Sequence, residues 1–172
     1  MKWLLRVAVL AVAAAALWPE GTRYRAEWWL AEADGKLSAT LDGTLKGDAA
    51  MSATEDALRL DRQAVHALPA DPRPIQSASV ALLLLRRGDE AIALLAPAIA
   101  AGERPELTIN LGRARGIGGD EKGANAAFLR TAWANPAAIA TLPKAIREPL
   151  LDRVAELERE LRDGKLQHAP EL

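Results

Sequence analysis

The stretch Leu111–Pro136, LGRARGIGGDEKGANAAFLRTAWANP, constrains this chain most, because an earlier part of the sequence repeats its outline. It reads as a helix, a glycine-rich break, a second helix and a proline stop. Gly88-Asp89-Glu90 matches Gly119-Asp120-Glu121 at a separation of 31 residues, and Ala91, Leu95 and Ala98 match Ala124, Phe128 and Thr131 at 33. Ala57, Asp61, Ala64 and Pro69 keep the internal spacing of Ala124, Phe128, Thr131 and Pro136. A period of roughly 31 to 34 residues with helix–turn–helix content marks stacked α-hairpins. The reason is steric. Small Gly112 and Ala81 let paired helices approach, as do Ala91 and Ala124 from the facing helix, and Leu95 and Phe128 fill the space one turn on.

Composition supports an all-α fold. The chain is 50% hydrophobic but only 4% aromatic, and its apolar mass is mostly alanine and leucine, both good helix formers. Residues that favour strands are too thinly spread for a sheet. A net charge of −1 creates no field that would draw nucleic acid. The absence of cysteine excludes disulfides, a thiol nucleophile and cysteine-ligated metals.

Nor does a catalytic, cofactor or metal site emerge. His66 and His168 are the two histidines; neither has another histidine three or four residues away, and no carboxylate is placed to complete a ligand set. The run Gly116–Gly123 looks superficially like a phosphate loop, but a Walker loop needs Gly-Lys-Ser/Thr after a strand. Here Lys122 precedes Gly123 and the loop follows a helix, so it reads as a turn between helices.

Breakers set the expected elements. Ser52 to Glu55 has capping-box spacing and should start a helix that runs to about Leu68, ended by Pro69, Pro72 and Pro74. One hairpin then pairs Ile75–Arg86 with Glu90–Ala101, which Pro97 should kink, and the next pairs Glu106–Arg115 with Glu121–Trp133. Asn135 caps a short helix beginning at Pro136. Pro149 and Gly164 bound a closing helix with the stripe Leu150, Val154, Leu157, Leu161. It reads as a solvating cap for the array or as a helix for homo-oligomerisation. The expected plan is an anchor or signal segment at 1–22, a juxtamembrane helix and connector at 23–51, hairpins at 52–146, the closing helix at 147–164 and a disordered tail at 165–172. Gly35, Gly43 and Gly47 make the connector either a hinge or a degenerate first helix of the array.

With Leu111-Gly112 followed by Ala124, Phe128 and Pro136, the third hairpin resembles the tetratricopeptide repeat. The likeness spans about 80 to 90 residues and is clear in one repeat. It departs where Arg115 replaces an aromatic, where Thr131 replaces a small alanine, and in the middle repeat, which lacks its proline. The resemblance implies a short right-handed array of helical hairpins that binds proteins.

The amino-terminal segment adds a membrane expectation. From Val7 to Trp18 every residue is apolar, and Lys2 and Arg6 stand at its start. A retained single-pass anchor, a cleaved signal with Ala14-Ala15-Ala16 as its site, and an ordinary buried helix all fit such a run. Tryptophan favours the anchor, since Trp3 and Trp18 bracket the run as interfacial residues do, with Trp28, Trp29, Arg23 and Arg25 just beyond. Charge bias slightly favours an inside amino terminus, which would place the remainder in a bacterial periplasm.

In a stacked array the first helix of each hairpin lines a groove. That face should present Glu106, Ile109, Asn110 and Arg113, with Arg115 at its edge, and on the preceding hairpin Ile75, Ala78, Ser79 and Leu82. A groove of this mixture suits an extended peptide or a helix with an apolar side. The alternative is that Arg113 is merely solvated and the chain's own amino-terminal part covers the groove. The expected function is therefore a non-enzymatic, membrane-anchored module for protein partners and the lipid bilayer, without nucleic acid. By analogy with the resembled class it would assist surface polysaccharide production, secretion or pilus assembly. The competing expectation is a small accessory subunit packed permanently on a larger membrane complex.

Overall fold

The computed structural model describes residues 2–172, and within 2–20 the side chains of Trp3, Arg6, Val7, Val12, Ala15, Leu17, Trp18 and Glu20 only. Among the described residues the chain is all-α. Its elements are α1 (Lys2–Leu41), α2 (Gly47–Ala67), α3 (Pro72–Leu84), α4 (Gly88–Ala101), α5 (Pro105–Ile117), α6 (Glu121–Ala134), a 3-10 helix (Pro136–Thr141) and α7 (Lys144–Arg162). They form two compact units, Met1–Ser77 and Ala78–Leu172.

In the first unit α1 is one helix of 40 residues, about 60 Å long. Ala26, Leu30, Ala33 and Leu37 form a buried stripe on it at helical spacing, and α2 packs on α1. That burial outweighs the cost of about 1 kcal/mol that Gly35 imposes on a helix. The connector is thus mostly helical, as the first helix of a hairpin rather than a hinge. Only 42–46 turn, with Gly43 at φ 78° and Gly47 at φ 56°, and Asp42 accepts a 2.8 Å hydrogen bond from the Thr44 amide. Because α1 reaches Leu41, α2 must start at once, at Gly47. Ser52 therefore lies exposed inside α2 and is not a cap. Leu68 leaves the helix, and Pro72 opens α3. Arg73 there pairs with Asp71 and with Glu27 of α1, both at 2.6 Å.

In the second unit the helix ends reveal the repeat register. Arg87 N–H bonds to Leu82 O at 2.9 Å, Asp120 to Arg115 O at 3.0 Å and Lys165 to Glu160 O at 2.8 Å. Each closes a helix through a left-handed residue: Arg86 (φ 60°), Gly119 (φ 82°) and Gly164 (φ 71°). Arg86 is therefore the counterpart of Gly119, 33 residues later, and Gly88 that of Glu121. The Gly-Asp-Glu match at 31 is a coincidence of turn composition; the alanine, leucine and phenylalanine positions carry the true register.

Packing follows the small-against-large rule. Ala81, Ala91, Ala124, Leu95 and Phe128 are all buried. A methyl group on Gly112 would lie 2.6 Å from Phe128 Cδ1, closer still to Cε1, and 3.2 Å from Ala124 O. Ile109, Ala124, Phe128, Ala132, Ile139, Leu142, Leu150 and Val154 form the core. Asn135 caps the 3-10 helix, accepting from Ala137 N–H at 3.1 Å. Pro97 sits exposed within α4, which continues unbroken to Ala101.

The closing helix starts earlier than its prolines suggest. It begins at Lys144 with Pro149 inside it. Leu150, Val154 and Leu157 are buried in the unit, and Leu161 alone of the stripe is exposed. The tail lies against α6: Arg130, paired with Glu103 at 2.6 Å, also donates to the Pro170 carbonyl at 2.9 Å.

Candidate functional site

In the second unit, the end of α3, the middle of α5 and the start of α7 surround a cleft of about 440 Å³. Gly112 and Gly116 contribute backbone to its lining. Leu83, Ile117, Leu142, Pro143, Ile146 and the Phe128 ring supply apolar walls. Two charged side chains line it, Arg86 and Arg113, and no carboxylate does so among the described residues.

Arg113 is held by a relay of hydrogen bonds. Asn110 Nδ2 donates to Ser79 Oγ at 2.9 Å, and Asn110 Oδ1 accepts from Arg113 Nη1 at 2.9 Å. Arg113 Nη2 donates to Thr141 Oγ1 at 2.6 Å. Ser79 and Asn110 are buried, so the relay costs little further ordering and aims the guanidinium. Of its five N–H groups, these bonds use two.

What the relay lacks is an acid. Arg87 pairs with Glu90, Arg130 with Glu103, and Arg153 with Glu156. Arg113 is half-buried with no such counter-charge among the described residues, and burial lowers its pKa from the ordinary guanidinium value. A half-desolvated cation in an apolar recess is stabilised by an incoming anion, and a planar fork matches a carboxylate.

Arg86 stands beside it in a strained backbone state. Its φ of 60° is left-handed, which costs a side-chain-bearing residue roughly 1–2 kcal/mol. At the two other closures of this kind the residue is glycine. Arg86 is also exposed, leaving its charge free to meet a ligand.

Of the residues expected to line a groove, Arg113 does. Ile109 does not: it belongs to the core formed with Ile139 and Leu142. Asn110 is buried as the support of Arg113, and Glu106 is exposed at the first turn of α5, outside the cleft. Arg115 donates to the Gly123 carbonyl at 3.1 Å instead of facing the cleft. Ala78, Ser79 and Leu82 are buried and Ile75 is half-buried. On α5 the expected face is thus turned inward, where Ile109 packs with Ile139 of the 3-10 helix and with Leu142. The open surface lies one step round α5, at Arg113, Gly116 and Ile117. Arg86 escaped the sequence reading, although the 33-residue register shows an arginine where its counterpart is glycine.

The expected membrane-interface residues lie along α1. Trp3, Trp18 and Trp28 are 73%, 76% and 56% exposed, Arg23 and Arg25 are exposed, and Trp29 is half-buried. Trp18, Arg25 and Trp29 share one shallow recess with Leu17, Gly21 and Thr22. Among the described residues no helix is long and apolar enough to cross a membrane. Most of the run Val7–Trp18, on which the anchor expectation rests, lies outside the described side chains.

Comparison with family models, curated proteins and solved structures finds no match to this chain.

Proposed function

We propose that this chain is a membrane-anchored, tetratricopeptide-like interaction module whose cleft grips a carboxylate-bearing segment of a protein partner. The observation that carries the proposal is Arg113: half-buried, oriented by Asn110 and Thr141, without an acid, in a recess walled mostly by apolar side chains. Such a recess favours an acidic residue flanked by apolar ones, with Arg86 as a second cation. Binding rather than catalysis is the proposed activity.

The anchor is the first part of α1. Trp3, Val7, Val12, Leu17 and Trp18 are all exposed there, which suits a lipid environment better than water. Arg23 and Arg25 would then meet phosphate headgroups. An outward-facing position at a bacterial inner membrane, in an assembly for surface polysaccharide or secretion, completes the proposal.

A permanent accessory subunit is the second reading, favoured by exposed Tyr24 and Trp28 on α1, beyond the apolar run. Site-specific photocrosslinking in the native host separates the two. A crosslinker at Ile146 in the cleft should capture a partner, and the adduct should vanish with Arg113→Gln. A crosslinker at exposed Arg62 should not capture it. Adducts unchanged by Arg113→Gln would refute the cleft, and adducts only from Trp28 would favour the accessory subunit.

A further inference from the structure

Asp61 on α2 has no role in the cleft. It is 0% exposed, yet neither carboxyl oxygen has a hydrogen-bond partner among the described residues. Its α2 neighbours at helical spacing, Ala57, Leu58 and Ala64, are buried as well, on a helix packed against α1.

The groups facing it offer no positive charge. From α1 it meets the charge of Asp34, and from α3 the hydroxyl of Ser77, which is turned to Asp34 Oδ1 at 3.4 Å. Lys36, the nearby cation of α1, is directed to Glu32 at 3.8 Å and Asp56 at 3.6 Å. A buried carboxylate whose one neighbouring hydroxyl is turned to another acid is strongly disfavoured, whereas a neutral carboxyl is tolerated.

We infer that Asp61 is a proton-operated latch on the α1–α2 hairpin: protonated, it leaves α2 seated on α1, and ionised, it drives α2 off. Opening delivers the carboxylate to water and uncovers the stripe Ala26, Leu30, Ala33 and Leu37. Burial foremost, then the charge of Asp34, raises the Asp61 pKa from 3.8 to about 7, with Ser77 opposing in part. The sign follows. Closed hairpins hold the proton more tightly than open ones, so closure is favoured at low pH and weakens as pH rises from about 4 to about 7. Between pH 5 and pH 8 the open fraction should grow on the order of a hundredfold.

Hydrogen–deuterium exchange on the full chain tests this, comparing the wild type with Asp61→Asn at each pH so that intrinsic exchange rates cancel. Amides of α2 should lose protection relative to the variant by that factor from pH 5 to pH 8, while α5 and α6 stay level. If Asp61→Asn does not fold, Asp61→Ala, which also cannot ionise, takes its place. A wild type whose α2 follows the uncharged variant at every pH would overturn the latch. So would a loss of protection that is equal in α2, α5 and α6.

Discussion

Replacing Gly112 with alanine should destabilise the second unit by about 1–2 kcal/mol, although helix propensity alone predicts a gain. Alanine in place of glycine in a helix interior is worth about 1 kcal/mol. At Gly112 the added methyl would sit 2.6 Å from Phe128 Cδ1 and 3.2 Å from the Ala124 carbonyl. The ring is in the core and the carbonyl is backbone, so neither yields cheaply. Overpacking of this kind costs about 1–3 kcal/mol, here toward the upper end, and exceeds the propensity gain. Gly116 is the internal control. Its methyl would meet Ala124 Cβ at 4.0 Å, an ordinary contact, so Gly116→Ala should stabilise by about 1 kcal/mol. Urea unfolding should therefore move the two midpoints in opposite directions at constant slope. In a double-mutant cycle, Phe128→Leu should relieve part of the Gly112→Ala defect, giving a coupling of at least about 0.5 kcal/mol. A Gly112→Ala protein as stable as the wild type, or a defect independent of residue 128, would refute the steric basis of the repeat.

Arg86→Gly should stabilise by roughly 1 kcal/mol by relieving the left-handed backbone, yet weaken capture of an acidic peptide; thermal unfolding and peptide titration read the two effects separately. Asn110→Ala should cost about 1–3 kcal/mol in a urea series, because it removes the buried hydrogen bond to Ser79 and unseats Arg113. Stability of the first unit should fall as pH rises from about 4 to about 7, since Asp61 binds its proton more tightly when folded. The gap between about 7 and 3.8 is worth roughly 4 kcal/mol, and denaturant titrations of Asp61→Asn should lack that slope.

Much of the architecture was present in local sequence. Alternating helix formers, glycines and prolines were enough for five helical segments to be placed close to their true bounds, because helix propensity and turn chemistry act over a few residues. The small Gly112 and the large Phe128 were legible as packing positions, but only the structure sets the ring directly on the glycine. Boundaries failed where burial outweighed propensity. Gly35 did not interrupt α1, because the Ala26–Leu37 stripe is covered by α2; Ser52 did not cap, because the turn had already ended.

The site was legible only in part. Arg113 was visible as a basic residue on the first helix of a hairpin, but its neighbours Ile109 and Asn110 were assigned to the wrong surface. Which side of α5 stays open depends on where the 3-10 helix comes to rest, and that contact joins residues far apart in the chain. Asp61 makes the same point. By sequence alone it is one polar residue among apolar ones on α2, occupying the position that Phe128 holds in the repeat. Only the packing of α1 against α2 removes it from water, and so turns a common residue into a buried acid.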